Sequence, residues 1–144
     1  EDASDRETQP QRLLLTWMVG QPELFRQLEG ILSEDDFIDE DYHTVAKRLF
    51  DQYRQTGTVN PAAIVNLFED IEKQHLVAKI LQTELDVEIT EEERERVIND
   101  LIRKVKMARI DYELANIAAN PEKLPEVIAE KGRLTKLHIS LKNG

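Results

Sequence analysis

His43, His75 and His138 are the side chains best suited to metal binding or proton transfer near neutral pH, and their spacing supports neither. No His-x-x-x-His or His-Glu-x-x-His pattern occurs, so a helix-borne zinc hydrolase site is not encoded. The acidic stretch Ser33-Glu34-Asp35-Asp36-Phe37-Ile38-Asp39-Glu40-Asp41 puts Phe37 and Ile38 where a calcium loop needs oxygen ligands, and it lacks the central glycine. It reads instead as a solvated loop whose charges favour the start of the next helix. The glycines stand singly at 20, 30, 57, 132 and 144, which leaves no phosphate-cradling loop. Ser4, Ser33 and Ser140 have no nucleophile-elbow context, and no carboxylate pair falls in an apolar run that would raise a pKa. The expectation is a chain with no catalytic residue, no cofactor and no metal, and one that is not an enzyme by itself.

Composition narrows the class further. With 144 residues and 40% hydrophobic content, the chain can bury a core without disulfides, and it has no cysteine to form them. That fits a reducing compartment, and a cytoplasmic location is expected. No apolar run approaches the ~20 residues that span a bilayer. The start Glu1-Asp2-Ala3-Ser4-Asp5 is the reverse of a basic signal-peptide region, so neither membrane nor secretion is expected. Asp and Glu number 29 against 19 Lys and Arg, a net charge of −10, which disfavours direct nucleic-acid binding.

The elements that would position any site repeat at helical spacing. Thr8 with Gln11 forms a capping-box pattern for a first helix that carries Leu13, Leu14, Trp17 and Met18 inward and stops at Gly20; Trp17 is expected in the core. Pro22 opens a short helix bearing Leu24, Phe25 and Leu28, ended by Gly30. Tyr42, Val45, Ala46, Leu49, Phe50 and Tyr53 form one apolar face, closed by Gly57. Asn60-Pro61 starts a helix with Ile64, Leu67, Phe68 and Ile71 on one side, and Leu76, Val77, Ile80 and Leu81 mark another. The alternation Val87-Glu88-Ile89 is too short to build a sheet. Thr90 and Glu93 form a second capping box, with no Gly or Pro from there to Asn120, which predicts one long helix. Asn120-Pro121 restarts a last helical segment that reaches the C-terminus, bent or broken at Gly132. The fold class is all-α: a multi-helix head and a long helix over residues 1–118, then a C-terminal helical arm or hairpin over 119–144 that pairs with the end of the long helix.

That long helix is apolar on two sides. Ile98, Leu101, Val105, Ala108, Tyr112, Ala115 and Ala119 follow an a/d heptad, while Met107, Ile110, Leu114 and Ile117 form a second row opposite. A helix apolar on two sides needs two things to pack on, so part of the second row is expected to face the head or another molecule. Residues 121–144 carry Lys123, Lys131, Arg133, Lys136 and Lys142 against Glu122, Glu126 and Glu130, a sum of +2 that leaves −12 for residues 1–120. This end either closes the bundle or forms an arm that buries its apolar residues in a partner. On the second alternative the contact residues are Leu124, Val127, Ile128, Lys131, Leu134, Leu137, Ile139 and Leu141.

The span Leu13 to Leu67 carries a likeness. Leu14-Leu15-Thr16-Trp17-Met18-Val19-Gly20-Gln21-Pro22-Glu23-Leu24, then Asp36-Phe37, His43, Leu49-Phe50, Gly57 and Val59-Asn60, resembles the C-terminal helicase-binding domain of bacterial DnaG-type primases. The acidic preface, long helix and terminal arm extend the resemblance over nearly the whole chain. The head also looks like the N-terminal domain of the replicative helicase itself, which is the alternative. The primase resemblance implies a non-catalytic adaptor that docks on the N-terminal domain of the hexameric replicative helicase. It would hold primer synthesis at the fork and modulate helicase activity in the bacterial replisome. The chain starts at Glu1 rather than Met, which fits a piece of a longer enzyme whose zinc-binding and polymerase domains lie upstream.

Overall fold

Capping side chains set several of the helix ends in the computed structural model, which describes residues 3–82 and 89–141. The α-helices are α1 (Ala3–Gly20), α2 (Glu23–Gln27), α3 (Glu40–Thr56), α4 (Pro61–Val65), α5 (Ile71–Gln82), α6 (Glu91–Ala115) and α7 (Leu124–Leu134). Single 3-10 turns lie at Glu34–Asp36, Ile117–Ala119 and Pro121–Lys123. Among the described residues there is no strand, and the fold is all-α. Val87 and Glu88 of the short alternation lie outside them.

The Asp39 carboxylate accepts the N–H groups of Asp41 and Tyr42, both at 3.1 Å, and so opens α3. Gly57 closes it with φ +75°, its N–H bonded to the Tyr53 carbonyl at 2.7 Å. Asn60 caps α4 through a 3.3 Å bond from the Ala63 N–H, and Gln52 grips the Asn60 backbone on both sides. The Thr90 hydroxyl accepts the Glu93 N–H at 3.1 Å at the start of α6.

Four expectations are corrected. First, α1 starts at Ala3 and runs through Pro10, not from Thr8. Pro10 removes one i→i−4 bond without ending the run. Gln11 is no return arm of a capping box: it is buried, and its Oε1 accepts the Asp39 N–H at 3.2 Å. Second, α4 stops at Val65, because Asp70 starts α5 by accepting the Glu72 N–H at 2.8 Å; Leu67 and Ile71 are left exposed. Third, α6 ends at Ala115, where the Asn116 side chain donates to the Tyr112 carbonyl at 2.8 Å. Fourth, α7 passes through Gly132 and ends at Leu134, and residues 137–141 lie outside any helix.

Two cores result. The larger joins Leu14, Leu15, Trp17 and Met18 of α1 to Val45, Ala46, Leu49 and Phe50 of α3 and Ile98, Ile102 and Val105 of α6, with Ile139 and Leu141 from the tail. At its edge the Phe25 ring meets Phe50 edge-on at 5.0 Å and stacks on Tyr53 at 5.3 Å. The smaller core is Ile110 of α6 with Val127 and Leu134 of α7, flanked by Met107 and Leu114. Leu137 packs against both. The two-sided helix is thus served by the head on one side and α7 on the other. Of its two rows, the a/d seam outruns its cover: Ile98, Leu101 and Val105 are buried, whereas Tyr112 and Ala115 are exposed. The boundary expected at 118/119 falls in the turn between α6 and α7, and the tail crosses back to the head.

A Cβ on Gly57 would meet no atom within 4 Å, so Gly57→Ala carries only the cost of left-handed backbone. It is expected to destabilise the fold by about 1–2 kcal/mol in urea unfolding, with an unchanged m-value.

Candidate docking site and the charge lock behind it

A second partner lies beside each core contact of α6, and it is electrostatic. Lys106, Arg109 and Glu113 recur on α6 at i, i+3 and i+7, one stripe of the helix. Asp36, buried at the end of its 3-10 turn, accepts from Arg109 Nε at 2.8 Å and from Lys106 Nζ at 3.2 Å. Its Oδ2 also accepts the Ser33 N–H at 3.0 Å, closing a capping box that fixes the turn. Arg109 Nη1 reaches Glu113 at 2.8 Å, and Nη2 bonds Glu130 of α7. One guanidinium therefore joins the head's acidic turn, the long helix and the arm. Burial alone would lower the Arg109 pKa; hydrogen bonds to Glu113 and Glu130 and the fields of Asp36 and Glu130 outweigh it and hold the group above its ordinary range. It stays cationic at any pH at which the protein is folded. The acidic stretch is therefore not simply a solvated loop, because Asp36 is an internal counter-ion.

Next to this lock opens a cleft of about 780 Å³, walled by Phe25, Phe50 and Tyr53 on one side and by Lys106, Arg109 and Glu130 on the other. Outside it, on α7, the apolar residues expected to meet a partner divide by helix face. Val127 and Leu134 face α6 and are buried in the smaller core; Ile139 and Leu141 are buried in the head; Leu137 is half-buried between the two cores. Leu124, Ile128 and Lys131 stand at i, i+4 and i+7 and form an exposed row beside Val127 and Leu134. Leu124 is 38% exposed and Ile128 56%, and Tyr112 at the uncovered end of the α6 seam is 59% exposed. Of the apolar residues expected to meet a partner, Leu124 and Ile128 are the exposed ones. The histidines do not converge: His43 Nδ1 lies 2.8 Å from the Glu34 carbonyl, His138 Nε2 lies 3.1 Å from Glu95, and His75 is exposed on α5.

The family model described as DNA primase DnaG DnaB-binding matches residues 11–137, from α1 through the end of α7. The chain belongs to this DnaB-binding primase family. No curated protein and no solved structure gives a significant match. The match is to the primase side of the contact, so the chain is a helicase-binding domain of primase type, and the helicase's own N-terminal domain is not favoured. A DnaB-binding domain of this kind is a binding module and not itself catalytic. The head residues that carry the resemblance are its scaffold. Phe37, Leu49 and Phe50 are buried, His43 pins the acidic turn, and Asn60 is the clamped cap of α4.

Sequence reasoning missed Asp36, Lys106 and Arg109. The available signal was Asp36 beside the apolar Phe37 and a basic pair on an otherwise apolar stretch of α6, but nothing local says that these meet 70 and 73 residues apart.

Asp36→Asn leaves Lys106 without its carboxylate and Arg109 with only two, and should cost about 2–3 kcal/mol in urea unfolding, below the full penalty for breaking a buried pair because Glu113 and Glu130 remain. A milder effect is expected at Glu34, whose carboxylate lies 3.2 Å from Arg54. Burial opposes its ionisation, but hydrogen bonds from its own backbone and from Arg54, with the fields of Arg54 and Lys47, hold its pKa below the ordinary glutamate range. A depressed folded-state pKa adds stability above the unfolded value and loses it as pH falls through the folded one. Since Arg54 is half exposed, Glu34→Gln should cost under about 1 kcal/mol near neutrality, and the gap to the unmodified protein should close as unfolding is followed from about pH 6 to about pH 3.

Proposed function

We propose that this domain docks on the N-terminal domain of the hexameric replicative helicase through the outer face of its arm. It holds a primase polymerase, encoded in the same longer protein, at the replication fork and modulates helicase activity there. The observation that carries the docking face is the exposed row Leu124, Ile128 and Lys131 on α7, two large apolar side chains followed by a cation on a helix that is otherwise anchored. Burying Leu124 and Ile128 would contribute ~1.5–3 kcal/mol each before the cost of association. Around it the exposed Lys123, Lys131, Arg133 and Lys136 outnumber the exposed Glu122 and Glu126, so the complementary helicase surface is apolar with a mildly acidic rim.

The remaining proposed contact residues act indirectly. Val127, Leu134, Leu137, Ile139 and Leu141 build the surface against which α7 stands, and their loss would disturb docking by moving the row. The setting is the cytoplasm of a bacterium, within the replisome, and the domain touches neither nucleic acid nor membrane. The overall charge of −10 supports the first exclusion, and the second is supported by the absence, among the described residues, of any helix long and apolar enough to cross a bilayer.

Ile128→Asp places a charge in the row without touching either core. Binding to purified replicative helicase, followed by calorimetry, should weaken at least tenfold, about 1.4 kcal/mol. The circular dichroism and melting of the domain should be unchanged. Undiminished affinity of this variant and of Leu124→Asp would remove the arm from the contact.

A further inference from the structure

The tail after α7 is not helical, yet its backbone is not left to solvent. Arg103 Nη1 donates to the Leu137 carbonyl at 2.8 Å. Asn99 takes both sides of Ile139, accepting its N–H at 2.7 Å and donating to its carbonyl at 2.9 Å. Glu95 accepts the Leu141 N–H at 2.6 Å, and Arg94 Nη2 donates to the Leu141 carbonyl at 2.9 Å. The registers match physically: residues four apart on a helix are separated by about 6 Å, and residues two apart in an extended chain by about 6.6 Å. Arg103, Asn99 and Glu95 therefore meet Leu137, Ile139 and Leu141 in turn, with the tail running antiparallel to α6. The side chains of Ile139 and Leu141 drop into the head, while His138 and Ser140 between them are exposed.

This pattern reads main-chain atoms and two apolar side chains, with a further contact from His138, whose Nε2 lies 3.1 Å from Glu95. Among the described residues no strand pairs with the tail, and it follows the exposed residues Thr135 and Lys136. We infer that the α6 stripe Arg94–Glu95–Asn99–Arg103 is a binding site for an extended peptide with apolar residues at alternate positions, filled in cis by residues 137–141, which act as a detachable strap. The charge lock at Arg109 holds the arm to the head at Glu130, and the strap holds its end. Release of the strap bares two apolar sockets in the head and leaves α7 held only through Arg109 and the smaller core. The inference does not depend on which face of α7 meets the helicase.

Amide-resolved hydrogen exchange on the full chain tests detachment. The Ile139 and Leu141 amides should exchange at least tenfold faster than those of Ile98 and Ile102, because the strap opens while the head stays folded. In Asn99→Ala the ratio of the Ile139 rate to the Ile102 rate should rise at least a further tenfold. Exchange of Ile139 and Leu141 in step with Ile98 and Ile102 would make the tail part of the core and overturn the inference. Peptide binding is tested with a fluorescent peptide of residues 135–144 added to the full chain carrying Ile139→Asp and Leu141→Asp. It should bind this variant at least tenfold more tightly than the unmodified chain, whose own tail competes, and adding Asn99→Ala should abolish binding. Failure of the peptide to bind the doubly substituted chain, or loss of the head's fold in that chain, would equally overturn it.

Discussion

Arg109 bonds Asp36, Glu113 and Glu130 together, and these carboxylates come from the acidic turn, the long helix and the arm. Four charged groups drawn largely out of water gain little net stability over a well-packed apolar cluster, but each becomes costly to lose once the others are in place. Such a cluster therefore fixes geometry more than it adds stability. A guanidinium has a planar fork of donors, so the directions of its partners are specified as well as their distances. With Arg109 seated on Asp36, α7 has little freedom to roll on α6, and the row Leu124, Ile128 and Lys131 is presented on one side.

Hydrophobic packing supports the same orientation. The smaller core of Ile110, Val127 and Leu134 is too slight to define an angle alone, because apolar contact is non-directional. Leu137, shared by both cores, and the tail beyond it tie the far end of the arm to the head. The α6 helix thus serves as a common spine. Its first half belongs to the head, its second half to the arm, and its polar stripes engage the acidic turn on one side and the tail on another. A binding module gains from this, since a preorganised face loses less freedom when it meets its partner.

Much of the helical framework was legible because it is locally encoded. The Thr90 box, the Asn60-Pro61 start and the apolar period from Tyr42 to Tyr53 each depend on residues within a few positions of one another. Errors arose where distant groups decide. Gln11 looks like a local cap and instead serves Asp39, 28 residues away. The tail looks like a continuing helix because its apolar content fits one, yet Asn99, 40 residues upstream, takes the Ile139 backbone. At the candidate site the chemistry of α7 was legible and its facing was not. Hydropathy marks Val127 and Ile128 alike, and only the position of α6 makes the first a core residue and the second an exposed one. Resemblance supplied the family from turns and core positions, and those proved to be scaffold, which is why they identify the fold without marking the contact.

Beside the tail, head and arm are coupled through Arg109, which bonds Asp36 and Glu130 at once. A double-mutant cycle tests this coupling, with Asp36→Asn and Glu130→Gln made singly and together and each measured by urea unfolding. Both residues touch Arg109 from different segments, so non-additivity of at least about 0.5 kcal/mol is expected. Additivity within about 0.3 kcal/mol would mean that the turn and the arm do not sense each other through Arg109.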